Sequence, residues 1–362
     1  MANTLQRSVP IALKINVISG ETTLAKQREM LRKVTTTGVD LDSLYGQTLQ
    51  QIREQTGDRP RLGMQALMWV SHAERPLRID ELCHALAFGV EATDLDPKNI
   101  QPADTVIGSC LGLAMVDKKT SIVRLIHDTL QKCLSRPGIL SGAHKVLGET
   151  CLAYLNSDQV KRVRASKVGD LGHMPFLEYS SLYWGVHAKI ELSDRAKTLA
   201  LAVLNQFENH ISFTLSLKKR LPFYTPNPRR PFTGLHCASY IGIDALVAAL
   251  IKVQSCDINQ EDTVGYTPLM WAVERKNHGA AKLLLTCDGV DPNKSNIIGI
   301  TPLWWACSFR DEKMVKLLTQ VGANPHKPDN NGLTPLMIAS RCRHKGMLAL
   351  LQPQAVTISD LE

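Results

Sequence analysis

Thr233-Gly234-Leu235-His236, Thr267-Pro268-Leu269-Met270, Thr301-Pro302-Leu303-Trp304 and Thr334-Pro335-Leu336-Met337 are one phrase met four times in fixed register. The threonines stand 34, 34 and 33 residues apart. A period of that size marks a stack of like units, none of which can bury its apolar face alone. Each part of the phrase has a physical role. The threonine hydroxyl caps orphan N–H groups at a helix start, and proline suits the first turn, where its missing donor goes unused. The small residues Ala238, Ala272, Ala306 and Ala339 let neighbouring helices approach. A second helix follows in apolar runs such as Ala281–Leu285 and Met314–Leu318. Gly265, Gly299 and Gly332, just ahead of the phrase, suit a tight turn.

The period and the Thr-Pro-Leu-His-x-Ala pattern resemble ankyrin repeats, whose stacked helix pairs serve as binding surfaces. Four units satisfy the minimum of three needed to bury a continuous core. Repeat one departs from the pattern at Gly234 and at Phe232, where proline and the tip glycine are expected, and so reads as a capping unit. The phrase-final histidine survives only as His236. Met270, Trp304 and Met337 replace it, which implies more apolar packing between units. Repeat four stops near Leu351 without a polar cap.

The chain has 362 residues, 44% hydrophobic and 21% charged, enough for real cores. No apolar run approaches the 18 or so residues of a membrane span, and residues 9–13 are too short for a secretory signal. Nine cysteines occur without a Cys-x-x-Cys pair, several at helix-core positions. Reduced, buried thiols imply an intracellular address, the cytoplasm or alternatively the nucleus. The net charge of +8 is concentrated. Residues 161–167 are basic, and residues 211–232 carry Lys218, Lys219, Arg220, Arg229 and Arg230 with no acidic residue. The prolines of that second stretch mark a solvated linker; the alternative is a nuclear-import or acidic-partner patch.

Ahead of the repeats the pattern changes. Leu41, Leu44, Tyr45, Thr48, Leu49 and Ile52 share one helical face. A helix over 62–71 follows, then an extended piece at 75–79, and Asp80 is placed to cap the next helix. A further helix after Pro97 ends near Cys110. Two apolar runs, 111–116 and 122–126, flank Asp117-Lys118-Lys119-Thr120 and predict a hairpin. Helices closed by one hairpin are the pattern of a winged helix. Helices at 144–155, 176–187 and 193–207 complete the region. The expected fold is mostly α: a winged helix and helical linker followed by an ankyrin α-solenoid of about four repeats. The segments are 1–40, a divergent start; 41–136, winged helix; 137–213, helical linker; 214–232, basic linker; 233–352, repeats; and 353–362, tail.

The region resembles the stretch between ATPase and repeats in fungal NACHT-type STAND proteins, relatives of NOD-like receptors. The matching pieces are Leu41-Asp42-Ser43-Leu44-Tyr45, Ala73-Glu74-Arg75-Pro76-Leu77 with Glu81-Leu82, and Ser109-Cys110-Leu111-Gly112-Leu113. Val123-Arg124-Leu125-Ile126-His127 and Thr150-Cys151-Leu152-Ala153-Tyr154-Leu155 follow. Pro175-Phe176-Leu177-Glu178-Tyr179 with Tyr183-Trp184-Gly185 and His187-Ala188 is the most characteristic match. The resemblance covers about residues 22–351 and implies a switchable ATPase whose repeats sense a partner. This chain has no Gly-x-x-x-x-Gly-Lys-[Ser/Thr] loop; Gly20-Glu21-Thr22-Thr23-Leu24-Ala25-Lys26 lacks the second glycine and the hydroxyl. It therefore reads as a receptor arm without its own nucleotide-binding module, residues 24–40 resembling that module's tail.

Catalytic patterns are thin: there is no His-Glu-x-x-His helix and no Gly-x-Ser-x-Gly elbow. Cys83 and His84 are adjacent, and adjacent helix residues point about 100° apart. No catalytic residue, metal ligand or cofactor is assigned, and the chain is expected not to be an enzyme. Nor is direct DNA readout expected, because the candidate recognition helix starts acidic, at Asp80-Glu81, and continues apolar. The expected partner is a protein held on the concave face of the repeats. That face comprises Thr263, Val264, Tyr266, Glu274 and Arg275 of repeat two, Ile297, Ile298, Ile300, Ser308 and Phe309 of repeat three, and Asn330, Asn331, Leu333 and Arg341 of repeat four. The apolar residues of repeat three form the expected hot spot, so Ile297→Asp with Phe309→Asp is expected to abolish binding and spare the fold. The function expected is that of a protein–protein adaptor or regulator. An ATPase in trans is one partner class and a transcription factor the other. In the latter case the chain acts as a nuclear coregulator, for example of a fungal specialised-metabolite pathway. A truncated receptor remnant is the third alternative.

Overall fold

The computed structural model describes residues 41–88, 96–163, 173–207, 210–212, 215, 229–253, 256–341 and 345–352. Residues 1–40, Lys218, Lys219, Arg220 and the tail from 353 lie outside them. The chain forms two compact units, described separately: residues 41–162 with 173–187, and residues 188–352.

In the first unit, α1 (Leu41–Arg53) buries Leu44, Tyr45, Thr48, Leu49 and Ile52, the face its periodicity marks. The Tyr45 hydroxyl lies 2.8 Å from Thr129 Oγ1. α2 (Arg59–His72) crosses α4 (Ala103–Ser109) closely at Gly63, where a Cβ would stand 2.4 Å from the Ser109 carbonyl oxygen. Between them in the chain comes α3 (Ile79–Ala87). Its N-cap is Arg78, not Asp80 as expected: the Arg78 backbone N–H donates to Glu81 Oε2 at 2.8 Å, closing a capping box. Glu81 also takes a bidentate pair from Arg75, so Asp80 is left to pair with the Arg78 guanidinium outside. The hairpin is β1 (Ala114–Asp117) and β2 (Ile122–Leu125), antiparallel with Ala114 opposite Leu125. The extended piece joins it, as the Val123 N–H donates to the Leu77 carbonyl at 2.9 Å. α5 (Asp128–Leu134) is capped by His127, whose Nδ1 accepts from the Thr129 N–H. α6 (Ala143–Asn156) and α7 (Leu177–Ile190) supply an aromatic core. There Phe176 meets Trp69 and Tyr154 edge-on, with centroids 5.3 and 5.2 Å away.

The second unit stacks helix pairs. α8 (Asp194–Leu204) comes first, then α9 (Gly234–Ile241) with α10 (Asp244–Leu250), and α11 (Pro268–Glu274) with α12 (His278–Leu285). α13 (Pro302–Ser308) with α14 (Glu312–Gln320), and α15 (Pro335–Arg341) with α16 (Lys345–Leu351), follow. Thr267 and Thr301 cap their helices as the phrase requires. Repeat one is not a bare cap. α8 packs on α9 and α10 as an outer helix of a preceding unit would. A Cβ at Gly234 would lie 2.1 Å from the Leu204 carbonyl oxygen, which is why proline is missing there. Phe232 is buried against Phe207, His236 and Trp271.

The first helix of each of the first three repeats ends on a left-handed residue: Gly242, then Lys276 at φ 56° and Arg310 at φ 55°. A side chain costs roughly 1 kcal/mol in that conformation. Arg310→Gly is therefore expected to raise the unfolding free energy by about that amount, read by thermal or denaturant melts. Among the described residues no helix is long and apolar enough to cross a membrane, and none of the eight cysteines is paired.

Candidate partner-binding face

The tips of repeats two to four are copies of one turn built on an Asx side chain. Asp262 Oδ1 accepts from the N–H groups of Val264 and Tyr266, at 3.0 and 2.8 Å. Asn296 Oδ1 does the same for Ile298 and Ile300, and Asp329 Oδ1 for Asn331 and Leu333. A glycine at positive φ closes each turn. At Gly265 and Gly299 it is also required by the neighbour: a Cβ would meet the Ile297 nitrogen at 2.9 Å and the Asn330 nitrogen at 2.7 Å. The tips are tied in a row, the Ile297 N–H donating to the Val264 carbonyl and the Asn330 N–H to the Ile298 carbonyl. Nothing approaches Gly332 in this way, and Met337 is half exposed, so the row ends open among the described residues.

A second ladder lies behind the tips. Asn259 Nδ2 donates to the Gly289 carbonyl and Asn293 Nδ2 to the Gly322 carbonyl. Lys294 and Lys327 reach back to the carbonyls of Asn259 and Asn293. His236 ties repeats one and two. Its Nδ1 accepts from the Thr233 N–H, so Nε2 carries the proton and faces the carbonyls of Gln260 and Tyr266 at 3.0 and 3.1 Å. Burial holds its pKa down at about 4, so it is a neutral strut at physiological pH.

The residues expected on the binding face divide. Ile297 and Ile298 are 60% and 52% exposed, side by side on one tip. Arg275, Asn330, Asn331 and Arg341 are exposed, and Thr263, Val264, Tyr266, Glu274, Ser308 and Leu333 half-buried. Ile300 is only 6% exposed and leaves the hot spot: it enters the core just before the cap Thr301, its N–H bound by Asn296. Phe309 is half-buried and stacks on Trp305 at 5.1 Å and 10°, so Phe309→Asp would disturb the fold it was expected to spare.

Around these residues cations lie on rings. The Arg275 guanidinium sits 4.6 Å from the Tyr240 centroid and the Lys276 ammonium 5.6 Å from Phe309. Glu274 Oε2 is buried without a hydrogen-bond partner, and burial raises its pKa. Of the basic cluster, Arg230 pairs with Glu261 at 3.3 Å.

Asp262 is the most desolvated carboxyl of the set. It also accepts from Trp271 Nε1 at 2.9 Å, and its desolvation lifts its carboxyl to about 6. At the matching position Asn296 has no carboxylate, and Trp305 Nε1 lies towards the Tyr266 hydroxyl without a well-formed hydrogen bond. A carboxyl raised above its unfolded value near 4 binds its proton more tightly in the folded state. Its stabilising contribution is complete below about pH 4 and is lost as pH rises to about 6. Relative to Asp262→Asn, wild-type stability is expected to fall by on the order of 2 kcal/mol over that window and then level off. Urea melts across pH 4–8 read the difference.

The ankyrin-repeat family (three-copy description) matches residues 199–296 and 276–360. The winged helix domain of GPI inositol-deacylase matches residues 49–142. A winged-helix domain and ankyrin repeats make up this chain's two recognised parts. No curated protein matches it. The ankyrin match opens at 199, inside α8, in keeping with the packing of that helix on repeat one.

Proposed function

We propose that this chain is a non-enzymatic adaptor that holds a partner protein on the tips and inner helices of its ankyrin repeats. The observation that carries the proposal is the exposed Ile297–Ile298 pair, set on a tip whose backbone is tied to both neighbours. Adjacent apolar side chains on a rigid element suit a hot spot. Arg275, Arg310 and Arg341, all exposed, favour a partner with acidic groups around its apolar anchor. The deacylase match concerns that protein's winged-helix domain, and this chain has no Gly-x-Ser-x-Gly elbow. The Cys83 thiol is buried, pushed up to about 11 by desolvation, and unsuited to nucleophilic work.

On its resemblance to fungal STAND proteins, the adaptor works beside a nucleotide-binding module supplied by another chain, in the cytoplasm. The acid-free basic run at 211–232 supports a second reading, a nuclear coregulator of transcription. Substituting Lys218, Lys219 and Arg220 by alanine separates the two. Loss of nuclear accumulation supports the coregulator, and an unchanged cytoplasmic complex with an ATPase supports the adaptor.

A further inference from the structure

Glu74, His144 and His187 reach one point from three separate stretches: the loop after α2, the first turn of α6, and α7. Their ligand atoms all lie within 4.8 Å of one another. His144 Nδ1 is 2.9 Å from His187 Nδ1, so one ring carries a proton between them and the other accepts it. His187 is completely buried, and its Nε2 lies 2.9 Å from the Tyr179 hydroxyl. That hydroxyl also accepts from the Glu74 backbone N–H at 3.0 Å, which fixes the glutamate beside the rings. His72 stands at the edge, its centroid 5.6 Å from that of His144, with Nδ1 held by Ser71 Oγ. Nothing in the winged-helix or ankyrin reading uses this cluster.

We propose that Glu74, His144 and His187 form a site for a divalent transition metal of the zinc class. Two imidazoles and a carboxylate are a zinc donor set that leaves a fourth position for water, and imidazole disfavours magnesium and calcium. Glu74 is exposed and His144 half-buried, so the ion has a way in. Tyr179 supplies the outer contact that a ligating histidine needs: with Nε2–H of His187 donating to the hydroxyl oxygen, Nδ1 keeps its lone pair. For His144 to ligate through Nδ1, the shared proton moves to its own Nε2, and no net proton is released.

The test strips the full chain with a chelator and titrates it with Co²⁺, read by absorption, then with Zn²⁺. The expected result is one Co²⁺ bound with tetrahedral ligand-field bands, no thiolate charge-transfer band, and displacement by Zn²⁺. His144→Ala and, separately, Glu74→Gln are expected to weaken binding roughly tenfold or more. The metal-free melt of Glu74→Gln, at an exposed position, should match the wild type and keeps the test valid, whereas His144→Ala removes the partner of the buried His187 Nδ1 and is expected to melt lower. No binding, a thiolate band, or wild-type affinity in Glu74→Gln overturns the proposal.

Discussion

Gly234→Pro restores the repeat phrase and is expected to destabilise the protein. Proline stands at the equivalent positions 268, 302 and 335, where it opens each first helix. In repeat one the site is occupied by its neighbour: any Cβ at 234 would fall 2.1 Å from the Leu204 carbonyl oxygen and 2.9 Å from the Leu204 Cβ. The obstacle is backbone, at the end of α8, and it cannot rotate away. Either α8 lifts off repeat one or the start of α9 shifts. Overpacking of this kind costs about 1–3 kcal/mol, and a closely packed backbone puts the cost at the upper end. The melting temperature is expected to fall by roughly 4–10 °C, with Gly234→Ala nearly as damaging. Both are compared with Pro268→Ala, which removes a first-turn proline without a clash. An unchanged melt in Gly234→Pro would mean that α8 is not seated on repeat one.

Ile297→Asp with Ile298→Asp is expected to abolish partner capture in a protein of unchanged stability. Both side chains point to solvent, and the backbone bonds of the tip involve neither of them. Exposed substitutions away from the core alter stability by about 0.5 kcal/mol or less. Two buried carboxylates in an apolar contact, by contrast, cost an interface at least about 2 kcal/mol, roughly thirtyfold in affinity. Thermal melts report the first expectation and direct binding the second. Phe309→Asp is the wrong companion, since its ring is stacked on Trp305 and its loss would confound binding with folding.

The repeats were legible because their signals are local. The capping threonines, first-turn prolines and tip glycines each act within a few residues, and their period is short enough to see. The winged helix was legible for the same reason, from the alternation around Asp117–Thr120 and the helical faces before it. The Asx positions 262, 296 and 329 carry the same period and could have been found beside the glycines; two are aspartates and one an asparagine, which hides the match by residue type. The Asn259–Asn293 and Lys294–Lys327 ladders are likewise periodic. Two features depend on long-range packing: Gly234 answers to Leu204, and Glu74 meets His144 and His187 only after α2, α6 and α7 pack. Ile300 turns inward through a local contact, its N–H held by Asn296 four residues earlier. Asp80 shows the reverse case: a good capping residue displaced because Glu81 can serve Arg75 and the Arg78 N–H together.

Comparative affinity purification from the native cell addresses the binding face most directly, with the full chain and its Ile297→Asp/Ile298→Asp variant as baits at matched expression. The expected result is a protein recovered with the wild type, lost with the folded variant, and binding the purified wild-type chain directly. Recovery of the same proteins at the same abundance with both baits would contradict the assignment of the ankyrin tips as the partner-binding face.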